Sequence, residues 1–127
     1  MAKPNSSKSQ HKVLIVDDEE GIRESLKLIL EEHYDLIVVD SGQAALSLVE
    51  KQTDIGCVLM DIKMPKINGL DVLKAVKERR PDLPVIMVTG YRSVDTAGEA
   101  TRLGASGYIV KPFKAAEILE SVKRNIK

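Results

Sequence analysis

Five short apolar runs punctuate the chain, at residues 13–16, 36–39, 55–60, 85–88 and 108–110. They are continuous rather than alternating, which marks strands buried on both faces. Each is followed by a polar break and then a helical spacing. Ile22, Leu26, Ile29 and Leu30 make the apolar face of a first helix, and Ala45, Leu48 and Val49 that of a second. Leu70, Leu73 and Val76 do so for a third, and Ala97, Ala100 and Leu103 for a fourth. Ala115, Ile118, Leu119, Val122 and Ile126 form the seam of a closing helix. Asp40 or Ser41, Asn68 and Ser93 stand where N-caps belong, while Pro81 and Gly104 supply stops.

Five strand–helix units in strict alternation predict an α/β fold with a parallel sheet between two helix layers. Right-handed crossovers leave few topologies, and the expected one is the flavodoxin-like doubly wound (βα)5 sandwich of strand order 2-1-3-4-5. One such domain fills residues 12–127, behind a polar N-terminal tail over 1–11.

Charge narrows the function classes. The chain carries 19 basic and 19 acidic residues, so nothing suggests a sequence-independent grip on nucleic acid. No run approaches the ~20 apolar residues of a membrane span, and residues 1–12 lack the apolar centre of a signal peptide. The one cysteine, Cys57, lies inside an apolar run and reads as a small buried hydrophobe. That composition suits a reducing cytoplasm.

The chemistry gathers where the apolar runs end. Asp17 and Asp18 follow the first, Asp61 the third, Thr89 the fourth and Lys111 the fifth. An unpaired carboxylate is too costly to bury, so Asp61 is expected at the mouth of its strand rather than inside it. In the order 2-1-3-4-5, strands 1 and 3 flank the switch point, where such sheets bind ligands. Asp17, Asp18 and Asp61 then share one crevice. Carboxylates so close repel one another unless a cation intervenes. Hard oxygen ligands suit Mg²⁺, which binds through one or two carboxylates plus phosphate. His11 and His33 both fall far from the crevice, His33 at the end of the first helix, so no zinc set forms. A carboxylate beside a metal can also act as a nucleophile toward phosphorus, with Lys111 and Thr89 available to the phosphoryl oxygens.

These residues, read together, resemble the response-regulator receiver domain of two-component signalling. The resemblance rests on Val16-Asp17-Asp18-Glu19, Met60-Asp61-Ile62-Lys63-Met64-Pro65, Asn68-Gly69, Val88-Thr89-Gly90 and Lys111-Pro112-Phe113, and it covers about residues 12–127. The stretch from Thr89-Gly90-Tyr91 through Gly104-Ala105-Ser106-Gly107-Tyr108 is most similar to receivers of nitrogen-regulation-type enhancer-binding activators. The resemblance implies that Asp61 is the phosphoacceptor. Asp18 would ligate Mg²⁺ directly, Asp17 through metal-bound water, and Lys63 through its backbone carbonyl. Thr89 and Lys111 would contact the phosphoryl group, the Lys111-Pro112 bond would be cis, and Tyr108 would be the switch aromatic. Lys63 and Tyr91 would flank the path of the attacking water. The implied partner is a sensor histidine kinase or phosphotransfer protein, and docking or homodimerisation would use helix four, strand five and helix five. Such a domain catalyses only its own phosphorylation and dephosphorylation. The sequence fits both a stand-alone regulator and the receiver of a longer transcription activator.

Two departures bear on the output surface: Gly98 and Thr101 occupy usually apolar positions of helix four, and no Asp or Ser precedes helix five near Lys114. A haloacid-dehalogenase-like phosphatase shares the strand-ending Asp, but it needs a second Asp two residues on, where Lys63 stands. Flavin binding lacks its phosphate loop after strand one. A pseudo-receiver acting without phosphorylation is the remaining rival, and the intact set of site residues argues against it.

Overall fold

The computed structural model describes residues 11–126. Its elements run β1 (Lys12–Val16), α1 (Glu20–Leu30), β2 (Asp35–Val39), α2 (Gly42–Lys51), β3 (Ile55–Met60), α3 (Gly69–Arg79), β4 (Val85–Thr89), α4 (Val94–Arg102), β5 (Gly107–Val110) and α5 (Ala115–Asn125). All five strands are parallel, in the order β2-β1-β3-β4-β5. The expected tail over 1–11 lies, apart from His11, outside the described residues. Among those residues no helix is long and apolar enough to cross a membrane.

The continuous apolar runs have a simple cause. Successive side chains of a strand point to opposite faces, and both faces of the inner strands β1, β3 and β4 are roofed; β2 differs from expectation, because as an edge strand it leaves Asp35 and Val38 exposed. Val13, Ile15, Cys57, Leu59, Ile86 and Val88 pack with Leu26 and Leu30 of α1 and with Ile118 and Val122 of α5. Leu14, Val16, Val58, Met60, Val85 and Met87 face the other way, toward α2, α3 and Ala100 of α4. Fully burying each large side chain contributes about 1.5–3 kcal/mol, so two filled layers fix the sheet's position between its helices.

Three helices begin as their sequence signals require. Ser41 Oγ accepts from the Ala44 N–H, Asn68 Oδ1 from Leu70, and Ser93 Oγ from Asp95 and Thr96. Helix α5 is capped by another route: the Glu117 carboxylate reaches back to accept from the Lys114 N–H at 2.9 Å. Three details of the helices differ from expectation. Ala115 is exposed, and the polar Ser121 joins the buried face of α5. Helix α1 ends at Leu30, so His33 falls in the following turn, its ring tilted against Tyr34.

One glycine determines how α3 meets the crest of the sheet. The Gly69 N–H donates to the Ile62 carbonyl at 2.7 Å, and a Cβ there would sit 2.0 Å from the Asp61 carbonyl oxygen. No side chain fits between the start of α3 and the backbone that carries Asp61. Gly69→Ala is expected to cost about 2–3 kcal/mol of stability, the usual scale of overpacking a rigid contact. Gly21→Ala in α1, where an added methyl meets nothing within 4 Å, should instead gain about 0.5 kcal/mol. Urea denaturation of the two variants checks both signs.

Candidate functional site

Parallel strands bring their carboxyl ends to one edge, and here that edge carries the charge. Asp17 directly follows β1, Asp61 directly follows β3, Thr89 closes β4 and Lys111 follows β5. Lys111 Nζ stands 3.1 Å from Asp17 Oδ2 and 3.0 Å from Asp61 Oδ2, so residues 94 and 50 positions apart meet at one ammonium. A third carboxylate, Glu19 Oε1, lies 3.3 Å from the same nitrogen.

Both aspartates are buried, Asp17 to 1% and Asp61 to 5% exposure. The sequence expectation placed Asp61 at the strand mouth because burial is costly, and the position holds but the exposure does not. Pairing explains the difference. The second oxygen of each is also satisfied: Asp17 Oδ1 accepts from the Glu19 N–H at 2.9 Å, and Asp61 Oδ1 from the Ile62 and Lys63 N–H groups at 2.7 and 3.3 Å. Arg23 of α1 adds a 2.8 Å hydrogen bond to the Asp17 carbonyl, steadying the β1–α1 connection.

The electrostatics follow from burial and pairing. Burial pushes the Asp17 carboxyl above its usual range, helped by the Asp61 charge, and the Glu19 N–H and Lys111 only partly offset this. Burial alone would lower Lys111, but hydrogen bonds to Asp61 and Asp17, and their charges, outweigh it and raise the ammonium above its ordinary 10.5.

The crevice opens into a cavity of about 470 Å³ walled by Asp18, Glu19, Asp61, Lys63, Thr89, Gly90, Tyr91 and Lys111. The structure therefore brings together most of the residues that the sequence singled out. Its tight acidic group differs in one member. Asp17, Glu19 and Asp61 each bring a carboxylate oxygen within 4.8 Å of the others, while Asp18 lines the cavity from its exposed rim. Glu19 was missed as a site residue, although its place beside two candidate acids was the available signal. These clustered hard oxygens fit a divalent cation.

Around Thr89 the β4–α4 loop is tied to β5. Thr89 Oγ1 accepts from the Tyr91 N–H at 3.3 Å, and the Tyr108 hydroxyl donates to the Tyr91 carbonyl at 2.9 Å. Arg92 donates to the Lys111 carbonyl at 3.3 Å, just before the cis Lys111-Pro112 bond.

Residues 13–123 match the family described as the response regulator receiver domain. The chain belongs to that family. Its relatives include the response regulator protein FleR of Pseudomonas aeruginosa, 40% identical over 116 residues, covering 90% of this chain and 24% of FleR. A CheY-like receiver domain from Methanospirillum hungatei superposes with a TM-score of 0.86 at 35% identity, covering 91% and 93% of the two chains. NtrX from Brucella abortus gives 0.84 at 32% identity, over 92% of this chain and 27% of NtrX. The chain spans about a quarter to about half the length of the first curated relatives it matches. As a receiver domain it is a phosphoacceptor module of two-component signalling, related in sequence to the enhancer-binding activators that the Thr89–Tyr108 stretch resembles.

The charge arrangement predicts two opposite stability effects in metal-free buffer. Lys111→Met strands two buried carboxylates and should cost about 3 kcal/mol at pH 7. The loss should shrink in acid, because a protonated Asp17 no longer needs the cation. Asp17→Asn should raise the denaturation midpoint at pH 7. The folded state binds a proton at Asp17 more tightly than the unfolded chain does, so ionised Asp17 is a net cost above its raised folded value. That advantage of the variant should fade as pH falls through this value toward 3.8. Thermal denaturation across pH tests both.

Proposed function

We propose that Asp61 is the residue that takes the phosphoryl group. The observation that carries this reading is the Lys111 ammonium, held within 3.1 Å of both Asp17 and Asp61 at the floor of an open cavity. An Asp61 oxygen attacks phosphorus, the bond from phosphorus to the donor atom breaks, and the donor leaves with that electron pair. A histidine kinase or phosphotransfer protein presents a phosphohistidine for this step, and a small acyl phosphate can replace it. Phosphoryl transfer depends chiefly on position and on neutralising charge. Lys111 can follow the charge from carboxylate to phosphoryl oxygen, and the Thr89 hydroxyl, already on the cavity wall, can contact a second oxygen.

Asp17, Asp18, Asp61 and the backbone carbonyl of Lys63 are the proposed holders of Mg²⁺, and Glu19 shares their crevice. The ion would supply positive charge at the phosphoryl oxygens. The domain then catalyses its own phosphorylation and dephosphorylation only, and Lys63 and Tyr91 flank the path of the hydrolytic water. The cytoplasm is the proposed setting, which suits a chain whose one cysteine is a buried free thiol. Similarity to FleR and NtrX supports a place within a longer activator of the nitrogen-regulation type.

The proposed readout runs through Thr89, Tyr108 and α4. Helix α4 has nine residues, of which only Ala100 is buried. Gly98 lies in its interior, where an added Cβ would make an ordinary contact with the Arg102 guanidinium at 3.9 Å; the glycine costs about 1 kcal/mol relative to alanine. Kinase docking or homodimerisation would use the face of α4, β5 and α5, where Gly107, Tyr108, Glu117, Ser121 and Arg124 line a groove of about 470 Å³.

Two measurements test this function. Incubation with Mg²⁺ and acetyl phosphate should add one phosphoryl group by intact mass, and Asp61→Asn should abolish it. Uptake by the variant at the parent's rate would remove Asp61 from the role. In hydrogen exchange, α4 should be less protected than α1 and should respond to beryllofluoride. Gly98→Ala should raise its protection by roughly fivefold, the equivalent of about 1 kcal/mol, and should dampen the response. An α4 as protected as α1 and indifferent to the mimic would rule out this readout.

A further inference from the structure

Glu19 occupies the N-cap position of α1, where a short Ser, Thr, Asp or Asn side chain would normally accept from the first orphan N–H groups. Its backbone is extended as a cap requires, yet its side chain makes no cap hydrogen bond. The carboxylate turns away from the helix and pairs with Lys111 at 3.3 Å. Its backbone N–H meanwhile holds Asp17 Oδ1 at 2.9 Å. The two other carboxylates on Lys111 are nearly fully buried, at 2% and 6% side-chain exposure, whereas Glu19 is 63% exposed. Lys111 therefore has two buried partners in the floor and one solvent-exposed partner at the rim. The exposed one lines the cavity through which a donor would reach Asp61.

Resting on the reading of Asp61 as phosphoacceptor, we infer that Glu19 is a positioning residue for Lys111, a resident anion that holds the ammonium at the rim and competes with the donor's phosphoryl group for it. Its charge has two effects of opposite sign. It repels a phosphodonor and occupies the lysine that the donor needs, so it weakens donor capture. It also adds a negative charge beside the acidic floor and draws the ammonium partly away, so it strengthens binding of a divalent cation. A residue that merely shaped the start of α1 would move neither quantity in this paired way. Lys111 must exchange partners when Asp61 is phosphorylated, and Glu19 is the one it can leave most cheaply, because that carboxylate returns to water.

The test uses Glu19→Gln, which keeps the shape and removes the charge, and Glu19→Asp, which keeps the charge. At saturating Mg²⁺, Glu19→Gln should lower the acetyl phosphate concentration for half-maximal phosphorylation, on the order of fivefold at low ionic strength. High salt should narrow the difference. Calorimetric titration of the unphosphorylated variant should show Mg²⁺ binding weaker by a similar factor. Glu19→Asp should lie near the parent in both. The Lys111 ammonium resonance in nitrogen-edited NMR of the metal-free protein should shift in Glu19→Gln, a readout independent of phosphorylation. If donor and Mg²⁺ constants and the ammonium resonance all stay at parental values in Glu19→Gln, the inference is overturned. So it is if donor and metal affinity move in the same direction. If the parent itself takes no phosphoryl group on Asp61, the phosphoacceptor reading fails first and the donor competition with it, an outcome distinct from a parent that phosphorylates and a variant that matches it.

Discussion

The ammonium of Lys111 between two buried carboxylates is the constraint on which the rest of this molecule turns. Two carboxylates in a common crevice cannot both stay ionised without a cation, and the cation has to come from 50 and 94 residues away in sequence. Only a sheet that places the ends of β1, β3 and β5 on one edge can deliver it. The hydrophobic layers make that sheet; the charges do not. Removing charges from water costs more than their attraction usually returns, so the crevice draws on stability that the core supplies. Burial raises Asp17 even with Lys111 beside it, which is the same cost seen at a single group.

Each floor carboxylate has one oxygen on backbone N–H groups and the other on the lysine. The backbone half of each arrangement cannot turn without disturbing a loop, and the Asp61 loop is pinned further by the Gly69 contact. What remains adjustable is the lysine, on a long stem that is 14% exposed. Rigid acids and one movable cation suit a site where charge must be rebalanced when a new anion arrives. The geometry favours transfer of the cation's contacts over movement of the acids.

Much of this was legible in the sequence because it rests on local rules. Continuous apolar runs imply a parallel sheet, and polar residues at their ends imply the edge, so the sequence alone places Asp17, Asp61, Thr89 and Lys111 together. What escaped depends on distance and direction. That Glu19 rather than Asp18 joins the tight acidic group depends on which way the β1–α1 turn points each side chain, and adjacent positions look alike in sequence. The burial of Asp61 depends on a partner 50 residues on. The cap of α5 is not visible in the residues before the helix, where a short polar side chain is usual, because Glu117 supplies it from inside the first turn. Ala115 illustrates the remaining error. A small apolar residue carries too little area to show which face it belongs to, and in the first turn of α5 it faces solvent.

Beside the crevice the structure thins. Helix α4 buries one residue, whereas α1 and α5 bury leucine, isoleucine and valine against the sheet. Thr101 bonds back to the Ala97 carbonyl at 3.0 Å, a contact that bends helices and slightly weakens them. Ser93 caps the helix well, so the weakness lies in its packing and not in its start. The link from the crevice to the loop that leads into this helix, and on to β5, is a short chain of single bonds: Thr89 to the Tyr91 N–H, and the Tyr91 carbonyl to the Tyr108 hydroxyl. A turn of the Thr89 hydroxyl toward the cavity would strip the Tyr91 N–H of its acceptor. The loop would then have to find another partner or move. A well-packed helix would resist that demand, but α4 has little buried area with which to do so. Local charge at the crest and weak packing next to it are thus complementary in the proposed readout: the first would supply a cause for rearrangement, and the second would let it go forward at low cost.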